Sequence, residues 1–273
     1  MAAFWGALYE IVEEHAPITV RGVFYQATTR GLVPKSETEG YRPVQRELVK
    51  MRREGLIPWG WITDGSRSVF GYRRYGGLDS YARQVASNYR KDYWLDSPEY
   101  VEVWLEKEAL KGVVSPVAVG EFGLDLYVTK GQPSVTYLYE AAEQIAEDGR
   151  PTSLYVLTDF DPGGLRIFDR IRRELEGFAP DAELQVERIA VTPEQIAEHG
   201  LPTRPGKTKD PQAQRFAQEY GEGCVELDAM PPATLRALVK DAIERHMDPD
   251  RLRVMRLAEE QEREVLRNVW GGA

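Results

Sequence analysis

Apolar residues recur at helical spacing in the first part of the chain and in short unbroken runs in the second. Phe4, Leu8, Ile11 and Val12 share one face of a first amphipathic helix over 3–14. Pro17 breaks it, and Thr19 offers an N-cap for a second helix reaching about Arg30. At about 100° per residue, Val20, Val23, Phe24 and Ala27 form the core face of that helix. Tyr25 lies about 140° from Val20, which directs its hydroxyl towards water, with Arg21 beside it at i−4. Gly31 and Pro34 mark a turn. A third helix over 40–54, closed by Gly55, carries Val44, Leu48 and Met51 as its apolar stripe.

Opposite that stripe lie Arg42, Arg46, Lys50 and Arg53. A basic face of this kind is either a solvated helix surface or, after two shorter helices, the DNA-facing helix of a helix-turn-helix. Residues 57–65 (Ile-Pro-Trp-Gly-Trp-Ile-Thr-Asp-Gly) then supply a strand and turn, the wing of a winged helix. Arg67, Arg73, Arg74, Arg83, Arg90 and Lys91 alternate with Tyr72, Tyr75, Tyr81, Tyr89 and Tyr93, a mixture suited to phosphate contacts and base stacking. Asp96-Ser97-Pro98 marks a boundary, dividing a mostly α domain, 1–96, from a second domain, 97–273.

Beyond the boundary the pattern alternates. Strands are predicted over 100–105, 125–129, 153–158 and 184–191, with helices over 107–114, 134–147 and 165–175 between them. That alternation describes a doubly wound, mainly parallel sheet. A basic loop over 203–211 and two helices, 231–247 and 249–268, complete the chain.

The third strand run, Leu154 to Leu157, ends on Thr158-Asp159-Phe160-Asp161-Pro162-Gly163-Gly164. In extended chain Asp159 and Asp161 project to the same side, at the strand end where open α/β sheets place ligands. Two carboxylates about 4 Å apart repel by about 4 kcal/mol at an effective dielectric near 20. A divalent cation relieves this, and hard oxygens suit magnesium. Asp161 serves equally well as the cap of the following helix. Glu106 closes the 100–105 strand at the same end of the sheet and is able to share an ion with the aspartates.

Hydrophobic content of 42% and charged content of 29% describe a globular chain. No run approaches the roughly 18 apolar residues of a membrane span. The start has no basic segment ahead of its apolar residues, so no secretory signal is expected. The single cysteine, Cys224, leaves no internal disulfide or cysteine-based zinc site, and the cytoplasm is the expected compartment. His15, His199 and His246 are scattered and are not read as ligands. The net charge of −9 argues against nucleic acid until its distribution is seen. Residues 1–95 carry 14 Lys and Arg against 10 Asp and Glu; residues 96–273 carry 21 against 34. Such asymmetry suggests a polyanion-binding part joined to a part with another task.

Three motifs in order, Leu-Glu-Lys-Glu-Ala around Glu106, Lys-Gly-x-Pro at 130–133 and Thr-Asp-x-Asp-Pro-x-Gly at 158–164, resemble the Toprim domain. The likeness spans roughly 100–190 and is closest to the A subunit of type IIB topoisomerases (topoisomerase VI) and the related meiotic double-strand-break enzyme. That family also has a winged-helix domain with Arg-Asp-x-Tyr-Tyr, whose second tyrosine is the nucleophile. Here the stretch is Arg21-Gly22-Val23-Phe24-Tyr25: Arg21 and Tyr25 match, Gly22 and Phe24 depart. The resemblance implies that Tyr25 attacks DNA and leaves a 5′-phosphotyrosyl link, that Arg21 steadies the phosphate, and that Glu106, Asp159 and Asp161 hold magnesium, or manganese in its place. It implies a homodimer on double-stranded DNA in which the tyrosine of one subunit meets the metal site of the other, and a separate ATPase B-type subunit, since the chain has no Walker-type loop. Toprim domains also occur in nucleases in which metal-bound water attacks, so a Toprim endonuclease stands beside the tyrosyl reading. A non-catalytic DNA-binding adaptor is the third.

Overall fold

The computed structural model describes residues 2–63, 74–206 and 211–270. Asp64, Gly65, Arg67, Tyr72 and Arg73, and residues 207–210 of the basic loop, lie outside the described residues.

Three helices open the chain: α1 (Ala2–His15), α2 (Val20–Thr29) and α3 (Arg42–Arg53). Between the first two, β1 (Ile18–Thr19) pairs in parallel with β2 (Ile62–Thr63). Thr19 caps α2, its hydroxyl accepting from the Gly22 amide at 2.9 Å. α3 begins two residues later than the sequence pattern indicates, because a wide turn over Glu37–Tyr41, capped by Ser36, precedes it. The strand foreseen for a wing is the two-residue β2, whose partner among the described residues is the parallel β1. α4 (Leu78–Asn88) follows.

The centre of the molecule is a four-stranded parallel sheet built from β3 (Tyr100–Leu105), β4 (Leu126–Val128), β5 (Thr152–Leu157) and β6 (Leu184–Ala190), in the order β4-β3-β5-β6. All three pairings are parallel. α5 (Lys111–Ser115) sits between two short irregular turns, so the single helix expected over 107–114 is broken up. α6 (Val135–Asp148) and α7 (Pro162–Phe178) occupy the later crossovers, and α8 (Pro193–Glu198) follows β6. β7 (Arg204–Pro205) pairs antiparallel with β8 (Gly223–Cys224) across α9 (Pro211–Tyr220). α10 (Pro232–Glu244) and α11 (Pro249–Trp270) end the chain.

One face of the sheet buries Trp104, Leu154 and Val156 under Leu138 and Ile145 of α6 and Ile167 and Ile171 of α7. The other face, with Val103, Tyr155 and Leu157, packs on Val113, Val114, Leu235 and Val239. This second cluster continues into Leu8, Ile11, Val23, Leu48 and Met51, so α1–α3 and the sheet share one hydrophobic core. α11 reaches back to pack on α4.

The position of Tyr25 corrects the helical-wheel reading: it is 3% exposed. A wheel assumes one buried side, whereas α2 is contacted by α1, by α3 and by the turn at Leu227–Ala229. Every residue from Gly22 to Ala27 is buried in consequence. No helix among the described residues is long and apolar enough to cross a membrane.

Candidate functional site

The carboxyl ends of β3 and β5 carry the site. Glu106 follows β3, and its Oε2 accepts from the Asp159 amide at 3.0 Å, joining the two strand ends. The loop after β4 closes around Glu106, with the Gly131 amide donating to its carbonyl at 3.3 Å. Lys130 takes a left-handed φ of 54° there and pairs with Glu108 at 2.7 Å. Past β5, Phe160 and Val225 exchange backbone hydrogen bonds of 2.9 Å in both directions. That bridge draws the 226–228 stretch, distant in sequence, onto the end of β5. Leu227 then donates its amide to Asp159 Oδ1 at 2.7 Å.

Asp161 is the N-cap of α7, its Oδ1 accepting from the Gly164 amide at 2.8 Å, and its Oδ2 lies 3.5 Å from Arg204. The capping role foreseen as one option is therefore real, and it commits one oxygen of this carboxylate.

Sequence reasoning missed the residue at the centre of the cluster. The Lys107 ammonium lies 2.8 Å from Asp228, 3.0 Å from Asp159 and 3.3 Å from Glu226. Glu226 also receives Arg21 at 3.2 Å and Arg204 at 3.5 Å. Asp228 accepts from the Thr19 hydroxyl at 3.2 Å, which ties the start of α2 to the sheet. A local signal for the second acidic pair did exist. Glu226-Leu227-Asp228 follows a short buried run, Cys224-Val225, just as Asp159-Phe160-Asp161 follows β5.

The electrostatics follow from crowding. Burial, then the Asp159 charge, pushes the Glu106 carboxyl up to about 7, and Asp161 adds to the rise. Burial raises Asp159 as well, against the pull of Lys107. Burial would also raise Glu226, but Lys107, Arg21 and Arg204 hold it at about 2. Lys107 stays charged well above the ordinary lysine range because Asp228, Asp159 and Glu226 outweigh its desolvation. Tyr25 is raised by burial first and then by the Glu226 carboxylate beside it. Lys35, 5.5 Å from the Tyr25 ring centre, is lowered to about 8, chiefly by burial.

A groove of about 580 Å³ opens onto this cluster, with Arg21, Glu106, Lys107 and Asp228 on its walls together with Gln45 and Arg52 of α3. Tyr25 is not part of its lining. The basic residues singled out on α3, Arg42, Arg46, Lys50 and Arg53, are exposed but do not line this groove. Arg46 and Lys50 instead bind the buried Glu47 at 2.9 and 3.0 Å, and Trp5 donates its indole N–H to the same carboxylate at 3.0 Å. Half of that face is thus an intramolecular ion network.

The donor set suits a hard cation by type. Five carboxylates (Glu106, Asp159, Asp161, Glu226 and Asp228) meet three cations in direct contact (Lys107, Arg21 and Arg204), which leaves negative charge in excess. Burial and then the Asp159 charge raise Glu106, and no ion pair among the described residues reaches it. Among the described residues, however, no three carboxylate, histidine or cysteine side chains already stand as a metal-binding group. Asp159 and Asp161 each give an oxygen to a backbone amide.

No known protein-family model matches the chain, and no curated protein is significantly similar to it.

Proposed function

We propose that this chain cleaves DNA strands with the help of a divalent cation, magnesium or manganese, at the groove where α2 meets the ends of β3 and β5. One observation carries the reading: Arg21 and Tyr25 of α2 share a charge cluster with Glu106, Asp159 and Asp161, joined through Glu226 and Lys107. These are the residue types that phosphodiester transfer requires: a hydroxyl nucleophile, guanidinium and ammonium groups for phosphate charge, and carboxylates for a metal. A Toprim-type sheet behind a winged-helix domain, as in the topoisomerase VI A subunit, is the family reading that goes with it. Double-stranded DNA and a second copy of the chain are its partners, with a separate ATPase B-type subunit wherever cleavage is coupled to strand passage.

On the tyrosyl route the Tyr25 oxygen attacks phosphorus and the bond from phosphorus to the 3′ oxygen breaks. The tyrosine proton ends on the departing 3′ hydroxyl, and a 5′-phosphotyrosyl diester preserves the bond energy. Arg21 would balance phosphate charge, exchanging its contacts with Glu226 and Glu37 for the phosphate. Glu106, Asp159 and Asp161 would hold the cation, which supplies further charge neutralisation. The free chain keeps the hydroxyl covered, so this route requires α2 to part from Glu226 when DNA or a second subunit binds.

A second reading is favoured by that same burial. Glu106 and Lys107 line the groove while Tyr25 does not, an arrangement suited to hydrolysis by water in the manner of a Toprim endonuclease. The experiment is incubation with supercoiled DNA and magnesium, followed by denaturation and a search for protein bound to DNA ends. Adduct that disappears in Tyr25→Phe supports transesterification. Cleavage indifferent to that change supports hydrolysis. Intact DNA binding without cleavage by wild type leaves the adaptor reading and removes both.

A further inference from the structure

α11 is amphipathic twice over. Its inner face, with Leu252, Met255 and Glu259, packs on the body of the protein. About 145° away, Val254, Leu257 and Val265 form a second apolar row that is exposed, each 58–59% accessible. The adjacent α4 repeats the pattern: Ala82 and Ala86 are buried, while Leu78, Tyr81 and Val85 stand 86%, 51% and 38% exposed. Two touching helices therefore present apolar residues to solvent, at i, i+3, i+7 on α4 and at i, i+3, i+11 on α11, where the polar Gln261 holds the i+7 place. Along α11 a groove of about 480 Å³ is lined by Ala258, Gln261, Glu262, Val265 and Leu266, with Tyr89 just past the end of α4 on its wall.

The charges say what covers it. The amino-terminal half of α11, 249–258, carries Arg251, Arg253 and Arg256 against Asp250, a balance of +2. The carboxyl-terminal half, 259–270, sets Glu259 against Arg263 on its inner side and carries Glu260, Glu262 and Glu264 against Arg267 elsewhere, a balance of −2. Two copies of this helix related by a twofold axis run antiparallel, so each basic half lies along the partner's acidic half. Arg253 and Glu264 lie on the same flank of the apolar row, within about 20° of each other at 100° per residue. They are equidistant from the middle of that row. A twofold axis keeps like flanks together, so each Arg253 meets the Glu264 of the other chain. A helix of 22 residues gives a seam about 33 Å long.

We infer that the α4–α11 face is a self-complementary dimer interface, with α11 packed antiparallel on α11 of a second copy of this chain. This names the surface for the homodimer in the reading above, but it stands on apolar exposure and charge and is tested by mass rather than by cleavage.

Sedimentation velocity of the full chain over a concentration series reads it directly. Wild type is expected to be dimeric at micromolar concentration. Leu257→Glu, with an unchanged circular dichroism spectrum, should weaken dimerisation by at least about tenfold. Arg253→Glu and Glu264→Arg alone should each weaken it several-fold, and an equimolar mixture of the two variants should recover heterodimers. A monomeric wild type, or a dimer indifferent to Leu257→Glu, overturns the interface. Dimers that fail to recover in the mixture overturn its antiparallel twofold arrangement. DNA cleavage by a monomeric wild type would leave the enzymatic reading standing and this one fallen.

Discussion

Lys107 Nζ lies 3.0 Å from Asp159 Oδ1, inside the ring of carboxylates for which a metal ion was expected. The protein supplies a tethered cation of its own there. A single ammonium neutralises part of the charge, and Glu106 makes no ion pair among the described residues; on the proposed reading a metal ion would bind beside it. Replacing Lys107 by Met leaves Asp159, Glu226 and Asp228 facing one another in a largely buried space. Loss of one partner from such a network costs about 3–5 kcal/mol. Urea unfolding at pH 7 should show this, and Lys107→Arg should restore most of it. Millimolar magnesium should raise the unfolding midpoint of Lys107→Met more than that of wild type; equal shifts would detach the metal from this cluster.

Glu106→Gln should separate stability from function. The carboxyl is pushed up to about 7 because burial and Asp159 oppose its charge. An amide keeps the acceptor for the Asp159 N–H and removes the repulsion. The variant should be more stable than wild type at pH 8, by about 1–2 kcal/mol, while cleavage falls by two orders of magnitude or more. Loss of stability in Glu106→Gln would contradict the electrostatic account of the site.

How far the site could be read from the chain depended on whether its parts were local. Asp159, Asp161 and Glu106 were legible because an apolar run followed by acid announces a strand end, and all three lie there. Thr19 was legible as a cap because capping spans three residues. Glu226 and Asp228 were not, since they reach the site only through the Phe160–Val225 bridge, a pairing no window of sequence contains. The burial of Tyr25 was hidden for a similar reason. The wheel describes one helix, whereas the packing of α2 on three sides is a property of the assembled core. Strand order was likewise invisible, because parallel strands pair across long crossovers and no strand carries a mark of its neighbour.

Tyr25→Phe should cost little stability. Glu226 keeps Arg21, Lys107 and Arg204, so the loss is that of one hydrogen-bonding hydroxyl, about 1 kcal/mol. Thermal unfolding of the variant should shift by only a few degrees. Any loss of covalent adduct in it can then be assigned to chemistry. A collapse of the fold would instead make Tyr25 a structural residue and remove that assignment.

Glu102 gives a pH dependence separate from the site. It is 1% exposed on β3 and receives the Trp104 indole N–H at 2.6 Å. Burial raises it from 4.5 to about 7, against hydrogen bonds from Trp104, Tyr127 and Tyr100. The native state then holds a proton that the unfolded chain has already released between pH 4.5 and 7. Stability therefore falls as pH rises through that window, by an amount on the order of 3 kcal/mol, and levels off above it. Glu106 adds a slope of the same sign. Glu102→Gln should flatten part of the curve and Glu106→Gln another part, with the double variant flattest. A wild-type curve that rises between pH 5 and 7 would reverse the assignment for both.

The tightest constraint on the site is the contact between Gly164 and the end of β5. A Cβ built on Gly164 falls 2.1 Å from the Asp159 carbonyl oxygen, a backbone atom with no freedom to swing aside. α7 can start where it does, with Asp161 capping it, only because this residue has no side chain. Gly164→Ala must push the helix start away from the strand end, and overpacking of this kind costs about 1–3 kcal/mol. The displaced atoms carry the Asp159 amide that Glu106 holds, so cleavage should fall further than the stability loss accounts for, at a temperature where the variant is still folded. Gly177→Ala, near the other end of the same helix, is the control. Nothing lies within 4 Å of its Cβ. An alanine there should stabilise by about 0.5–1 kcal/mol and leave cleavage unchanged. If the two substitutions behave alike, the packing of α7 on β5 does not set the geometry of the carboxylates. If they differ as described, that geometry is fixed by a single missing methyl group.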